Sequence, residues 1–393
     1  MTPPWTLARL LEPASPSEFL RDHWERKPLV IRRADRARYR DLLTLADLDG
    51  YLYGRHVMHP AMSLTNAERK LSPDEYTYAS GLIDTARASQ LYAEGATMVF
   101  ASFEAAMGPL AGLCRAMEAE LSVRFQTNVY RTPGNAQGFR THYDSHDVFV
   151  LQVHGRKSWT LYDTPVELPF RRQEFHPDKV PVGEVTETFE LEAGDLAYLP
   201  RGVMHDARNV DGEESVHITL GVLHTSWVDL MAESLARLGL REPAFRRGLP
   251  PGFARDGFAR AEARAHFATL LRRFAEEADF DDVFDHFAED FIGTRHPILP
   301  GQVAELRRLD GLTADSVAQA RPSLLFRRRD ADDTVSIALY GSEITFPAVA
   351  REALRLALSG EAFRVGDLPG DLDDEGRLVL VRRLVREGIL TTR

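Results

Sequence analysis

The chain has 393 residues, 44% of them hydrophobic and 27% charged, with a formal net charge of -11. This length exceeds one typical domain, and the composition suits folded domains and argues against disorder or repeats. The negative charge disfavours broad contact with nucleic-acid phosphates and favours a basic partner such as an Arg- or Lys-rich polypeptide.

Cys114 is the sole cysteine. It leaves no intrachain disulfide and no cysteine-rich zinc or iron-sulfur site, and it fits a reducing cytoplasm. The start, MTPPWTLARLLEPASPSEF, has no basic segment followed by an apolar core. No stretch approaches the roughly 18 apolar residues of a membrane span, so the expected location is the cytosol, with no membrane partner.

Residues 1 to about 125 mix short helical patterns with loops. SPSEFLRDHW reads as a capped helix, with Ser17 ahead of Phe19, Leu20 and Trp24. From about 125 to 225 the texture turns to short runs rich in Val, Tyr, Phe and Thr: RFQTNVYRT, DVFVLQVHG, SWTLYD, TFELEAGDLAYLP and SVHITLGVL. Each is bounded by Gly, Pro or Asp, as in an antiparallel sandwich or barrel.

After Trp227 the period changes again. Phe267, Leu270, Leu271 and Phe274 follow i, i+3, i+4, i+7 spacing, and Phe280, Val283, Phe284, Phe287 and Phe291 continue it, which predicts an amphipathic helical section. The loop RGLPPGFARDG divides it into at least two helices. A section of this kind serves self-association or packs on its own β domain; sequence alone leaves both open. HPILPG, at 296 to 301, reads as a linker. Beyond it, PSLLFRRRDADDTVSIALYGSEITF predicts one or two β-hairpins. REALRLALSG and DEGRLVLVRRLVREGIL predict two helices, the second ended by Gly388. Strands and short helices of this size suggest a small winged-helix-like module. Asp371, Asp373, Asp374 and Glu375 crowd the start of its last helix, where they repel phosphate, so protein contact is favoured over DNA.

The segment THYDSHDVFVLQVHGRKSW carries the chemistry. On a strand, His142 and Asp144 project to one face while Tyr143 projects to the other. A second segment, GDLAYLPRGVMHDARN, sets Gly194, Pro200 and Gly202 ahead of His205, with Asn209 after it, a tight turn that presents His205 rigidly. A lone His-x-Asp is ordinarily a pair of solvated or core polar residues. With His205 it becomes a two-histidine, one-carboxylate set, which leaves three positions of an octahedral ion open, as in non-haem Fe(II) oxygenases. His146 shares the inward parity and is expected at a substrate mouth, while His154, His217 and His224 read as satisfied strand or turn histidines. Asp206 and Arg208 are expected to fix the turn around His205, with Asp206 also placed to orient a ligand histidine.

GDLAYLPRGVMHDARN matches the second cupin motif, and HYDSHDVFVLQVHGRKSW resembles the metal-binding strand pair of JmjC-type cupin oxygenases, ribosomal oxygenases above all. The resemblance implies an α+β chain with a double-stranded β-helix (cupin/JmjC jelly roll) at 1-226, a helical, dimerising region at 227-300 and a winged-helix-like domain at 301-393. It implies Fe(II) held by His142, Asp144 and His205, with 2-oxoglutarate as cosubstrate. Lys157 fits the place of the cation that grips the distal carboxylate, Tyr130 and Asn128 fall where the family has cosubstrate or substrate contacts, and Thr219 on SVHITLGVL is a further pocket candidate. The implied activity is hydroxylation of an Arg or His side chain of a ribosomal protein. Alternatives are a tailoring hydroxylase of a biosynthetic peptide or small molecule, and a non-enzymatic cupin serving as sensor or scaffold.

Overall fold

The computed structural model describes residues 4-392 apart from 211 and 323. By internal contacts the chain divides into two compact units, one ending at His224 and one beginning at Thr225.

The first unit opens with helices α1 (Leu7–Leu11) and α2 (Pro16–Asp22), followed later by α3 (Leu45–Gly54), α4 (Thr85–Ala93) and α5 (Gly108–Leu121). Ser15, and not Ser17, caps α2: its hydroxyl accepts from the Glu18 amide at 3.2 Å. Pro16 is the cause, because a proline with fixed φ and no amide hydrogen suits the first helical position and so places the cap one residue before it.

Among the described residues the strands of this unit are β1 (Leu29–Ile31), β2 (Met62–Thr65), β3 (Thr97–Phe100), β4 (Arg124–Thr132), β5 (Asp147–His154), β6 (Arg156–Tyr162), β7 (Val185–Glu192), β8 (Leu196–Leu199), β9 (His205–Asn209) and β10 (Ser215–Leu223). They form two antiparallel sheets, ordered β1, β8, β5, β10, β4, β3, β2 and β7, β6, β9. The region read as helices and loops thus also supplies β1, β2 and β3. These strands span three or four residues, too short to show a period of two.

β5 and β10 are buried along nearly their whole length. Phe149, Leu151, Val216, Ile218, Leu220 and Val222 join a core with Leu10, Leu48, Leu91 and Leu113 of the helices. Val148 and Val150 turn the other way and meet Trp159, Leu161, Phe189 and Leu191 between the sheets. Burial on both faces explains the continuous apolar runs, and each such side chain contributes about 1.5–3 kcal/mol.

In the second unit, α6 (Trp227–Arg241), α7 (Ala261–Glu277) and α8 (Phe280–Gly293) form the helical section. The spacing that predicted them is present, yet α7 buries none of its residues, and Phe267 and Leu271 stand exposed. Further along come α9 (Gln302–Arg308), β11 (Val317–Ala320), β12 (Arg327–Asp330), β13 (Thr334–Leu339), β14 (Ser342–Pro347), α10 (Arg351–Ala357), β15 (Phe363–Arg364), α11 (Asp374–Arg386) and β16 (Leu390–Thr392). β12, β13 and β14 make an antiparallel meander, and β15, β11 and β16 a second small sheet. A separate apolar core built on Val335, Ile337, Leu354, Val381 and Leu384 holds this part together. Asp373 caps α11 by accepting from the Gly376 amide at 2.8 Å, and Gly388 follows the helix at φ 72°. Among the described residues no helix is long and apolar enough to cross a membrane.

Candidate metal centre

His142 and Asp144 do not lie on a strand; residues 140–146 precede β5 as a loop. Their shared direction comes from two other ties. The His142 amide donates to the His205 carbonyl at 3.0 Å and the His205 amide to the His142 carbonyl at 2.7 Å, an isolated bridge that sets the two histidines side by side. The Gly202 amide donates to the Asp144 carbonyl at 3.0 Å. Gly202 has φ 88°, and a Cβ there would lie 2.0 Å from the Val166 carbonyl oxygen, so the turn before His205 requires glycine.

The ligand atoms of His142, Asp144 and His205 all lie within 4.8 Å of one another. Each Nε2 is 3.8 Å from a carboxylate oxygen of Asp144. His142 Nδ1 is 2.8 Å from the Arg140 carbonyl and His205 Nδ1 3.0 Å from that of Val203. A carbonyl only accepts, so each Nδ1 carries a proton and Nε2 is the nitrogen left facing Asp144, where a metal would bind. The orienting group is therefore main chain. Asp206, expected as a partner of a ligand histidine, accepts instead from the Thr141 and Tyr162 hydroxyls at 2.8 and 2.7 Å.

Burial, aided by the neighbouring His142, lowers the His205 imidazole to about 4 and keeps it neutral. For Asp144 burial works the other way, but the charges of His142, His205 and His146 outweigh it and hold the carboxyl below its usual range. A neutral His205 imidazole and an ionised Asp144 carboxylate are the protonation states that metal ligands need.

These three residues open onto a cavity of about 240 Å³. Register places Leu161 opposite His205 and Lys157 opposite Asn209, so Lys157 lies farther along the same face of β6 with Trp159 between. Lys157 is 3% exposed. Among the described residues its ammonium meets Thr132 Oγ1, at 3.1 Å, and no carboxylate, and burial brings it down to about 7. A buried cation with a neutral neighbour and open space before it is arranged to receive an anion.

Tyr130 and Thr219 line the cavity. Burial, with the Asp144 charge, pushes the Tyr130 phenol up. Asn128 stands outside the lining, and its Oδ1 accepts from the Ser102 amide at 3.1 Å. His146, expected to face inward, lies against Gly221, where a Cβ would meet its ring at 2.9 Å, and is also outside the lining. His217 corrects the reading of a satisfied strand histidine. It lines the cavity at 4% exposure, stacks on Tyr130 with ring centroids 4.8 Å apart, and its Nδ1 has no hydrogen-bond partner among the described residues. Alternation along SVHITLGVL puts it on the face of Thr219, and that signal was available. Thr97 and Thr132 went unnoticed because isolated threonines on strands are commonplace.

Residues 104–230 match the JmjC domain family. This segment, about a third of the chain, is similar to JmjC domains. Among relatives, Ribosomal oxygenase 1 of Homo sapiens is 32% identical over 324 residues, covering 76% of this chain and 48% of that protein. A bifunctional lysine-specific demethylase and histidyl-hydroxylase NO66 of Drosophila persimilis is 31% identical over 326 residues, covering 77% and 46%. The chain thus spans about half the length of these relatives. YcfD, a ribosomal oxygenase from Escherichia coli solved in complex with cobalt and 2-oxoglutarate, shares the fold at a TM-score of 0.54 and 18% identity, over 96% of this chain and 98% of that one. The matched segment contains both loops of the candidate metal centre and all the cavity-lining residues except Thr97.

Proposed function

We propose that the chain is an Fe(II)- and 2-oxoglutarate-dependent oxygenase that hydroxylates an Arg or His side chain of a ribosomal protein. The observation that carries this reading is the convergence of His142, Asp144 and His205 at a cavity that also contains the buried Lys157 ammonium. Two imidazoles and one carboxylate suit Fe(II) and leave room for a chelating cosubstrate and oxygen. Iron and 2-oxoglutarate together supply the oxidation, in which one oxygen atom enters the substrate C–H bond and the other ends in succinate as carbon dioxide leaves.

The chain's own residues bind and orient. His142 and His205 present their Nε2 atoms, and Asp144 supplies the negative charge. Lys157 receives the far carboxylate of the cosubstrate with the Thr132 hydroxyl beside it, and Tyr130 and Thr219 flank the same molecule. Val148, Val150 and Trp159 exclude water from the space between.

The ribosomal substrate is supported by the names of the relatives and of the E. coli structure, and by the net charge of -11, which attracts basic polypeptides. The site of action is then the cytosol. Self-association as a homodimer is supported by the exposed apolar row of α7. The segment from 301 onward is read as a winged-helix-like protein-contact module, and nucleic acid is disfavoured by the acidic start of α11.

The test is incubation of ribosomes or basic ribosomal peptides with the protein, followed by mass spectrometry. A gain of one oxygen on Arg or His that requires both Fe(II) and 2-oxoglutarate supports the reading; succinate formation with no modified protein sinks the substrate assignment.

A further inference from the structure

Asp147 opens β5 immediately after the first ligand-bearing loop, and it is a fully buried carboxylate, 0% exposed. Its neighbour Val148 lines the cavity, so strand alternation turns Asp147 away from the metal side, toward the core under the sheet. It touches neither ligand atoms nor cavity, and the proposed chemistry leaves it without a role. Yet both of its oxygens are engaged. Its Oδ1 accepts from the Arg201 amide at 3.1 Å and from Arg201 Nη1 at 3.0 Å. Its Oδ2 accepts from the Tyr198 hydroxyl and lies 3.2 Å from His224 Nε2. Arg201 Nη2 continues to Glu25 Oε1 at 2.6 Å.

Arg201 sits in the turn that ends at His205, next to Gly202, whose amide donates to the Asp144 carbonyl. Two successive amides of that turn, those of Arg201 and Gly202, therefore donate into the segment 144–147. One bond ends on main chain and the other on a buried anion. The turn carries one metal ligand and the segment another.

We infer that Asp147 and Arg201 act as a positioning clamp that fixes the spacing between the two ligand-bearing segments and so sets metal affinity. The inference rests on the metal reading of His142, Asp144 and His205. A buried charge-assisted pair is stiff, and outer-shell groups that orient ligands change metal affinity by about 10–100-fold when removed.

The test is titration of the full-length protein with Co(II), following its visible absorption. Asp147→Asn keeps the shape and removes the charge; it is expected to weaken Co(II) binding by about 10–100-fold and to shift the absorption bands at saturation. Arg201→Lys keeps a cation for Glu25 but loses the fork that reaches Asp147, and is expected to weaken binding less. If Asp147→Asn does not fold, Arg201→Lys gives the answer. Leu151→Ala, in the same core and on the same face of β5, is the control: it should lower the melting temperature and leave Co(II) affinity and spectrum unchanged. Unaltered affinity and spectrum in the clamp variants, or equal weakening in Leu151→Ala, overturn the clamp. Failure of the unaltered chain to bind Co(II) overturns the metal reading and the clamp with it.

Discussion

Val216, Ile218, Leu220 and Val222 of β10 are at most 1% exposed, whereas Phe267 and Leu271 of α7 are 61% and 52% exposed. Both rows announce themselves in the sequence by apolar periodicity. The strand row is covered by helices of its own unit, with which it shares one core. The helix row has the correct spacing, yet Leu270 and Phe274 are only half-buried and Phe267 and Leu271 stand exposed. Periodicity therefore states that a face wants burial and leaves open what buries it.

The difference can be broken at several points. His205→Ala removes a ligand from the enclosed side, and binding of Co(II) should fall by more than the 10–100-fold typical of an outer-shell change, as read by titration. A variant that retains tight binding would remove His205 from the ligand set. Leu220→Ala should cost about 2–5 kcal/mol of stability, while Leu271→Ala should stay within about 0.5 kcal/mol in denaturant melts of the dilute protein. Equal losses would mean that the α7 row is already covered.

Lys157→Ala should retain the metal and weaken 2-oxoglutarate binding by about 1.5–3 kcal/mol, the range of a hydrogen bond to a charged group, measured by calorimetry on the metal-loaded protein. Loss of metal equal to that of His205→Ala would undo the cosubstrate assignment.

The smallest effect concerns protons. Burial brings Lys157 from 10.5 to about 7, so between those values the unfolded chain holds a proton that the folded one lacks. Its contribution makes the apo protein more stable as pH rises through that window and less stable below it. A bound dicarboxylate restores the ammonium. Binding at pH 8 should take up close to one proton and at pH 6 almost none, as shown by calorimetry in buffers of different ionisation heat. Uptake that does not vary with pH would place the charge elsewhere.

Much of the barrel was legible. RFQTNVYRT coincides with β4, and DVFVLQVHG and SVHITLGVL contain β5 and β10. Their boundaries are set by Gly, Pro and Asp at turns, which are local signals. The ligand trio was legible because glycine and proline frame His205 and because two imidazoles with one carboxylate form an uncommon set. Other features follow from contacts distant in sequence. The parity argument for His142 and Asp144 named residues that do come together with His205, but for an incomplete reason, since their alignment comes from the bridge to His205. Nothing local marks Arg201 as a partner of Asp147, or Thr132 as a partner of Lys157, because those pairs exist only after the sheets assemble.

Each imidazole of the candidate metal centre is locked by a carbonyl two residues earlier, Arg140 for His142 and Val203 for His205. Ring aim is thus encoded within a tripeptide at both places and needs no distant side chain to be retained. Surrounding surfaces are free to diverge for new guests without turning either nitrogen away from its ion, and grafting the two tripeptides into another barrel at matching heights would carry the orientation along.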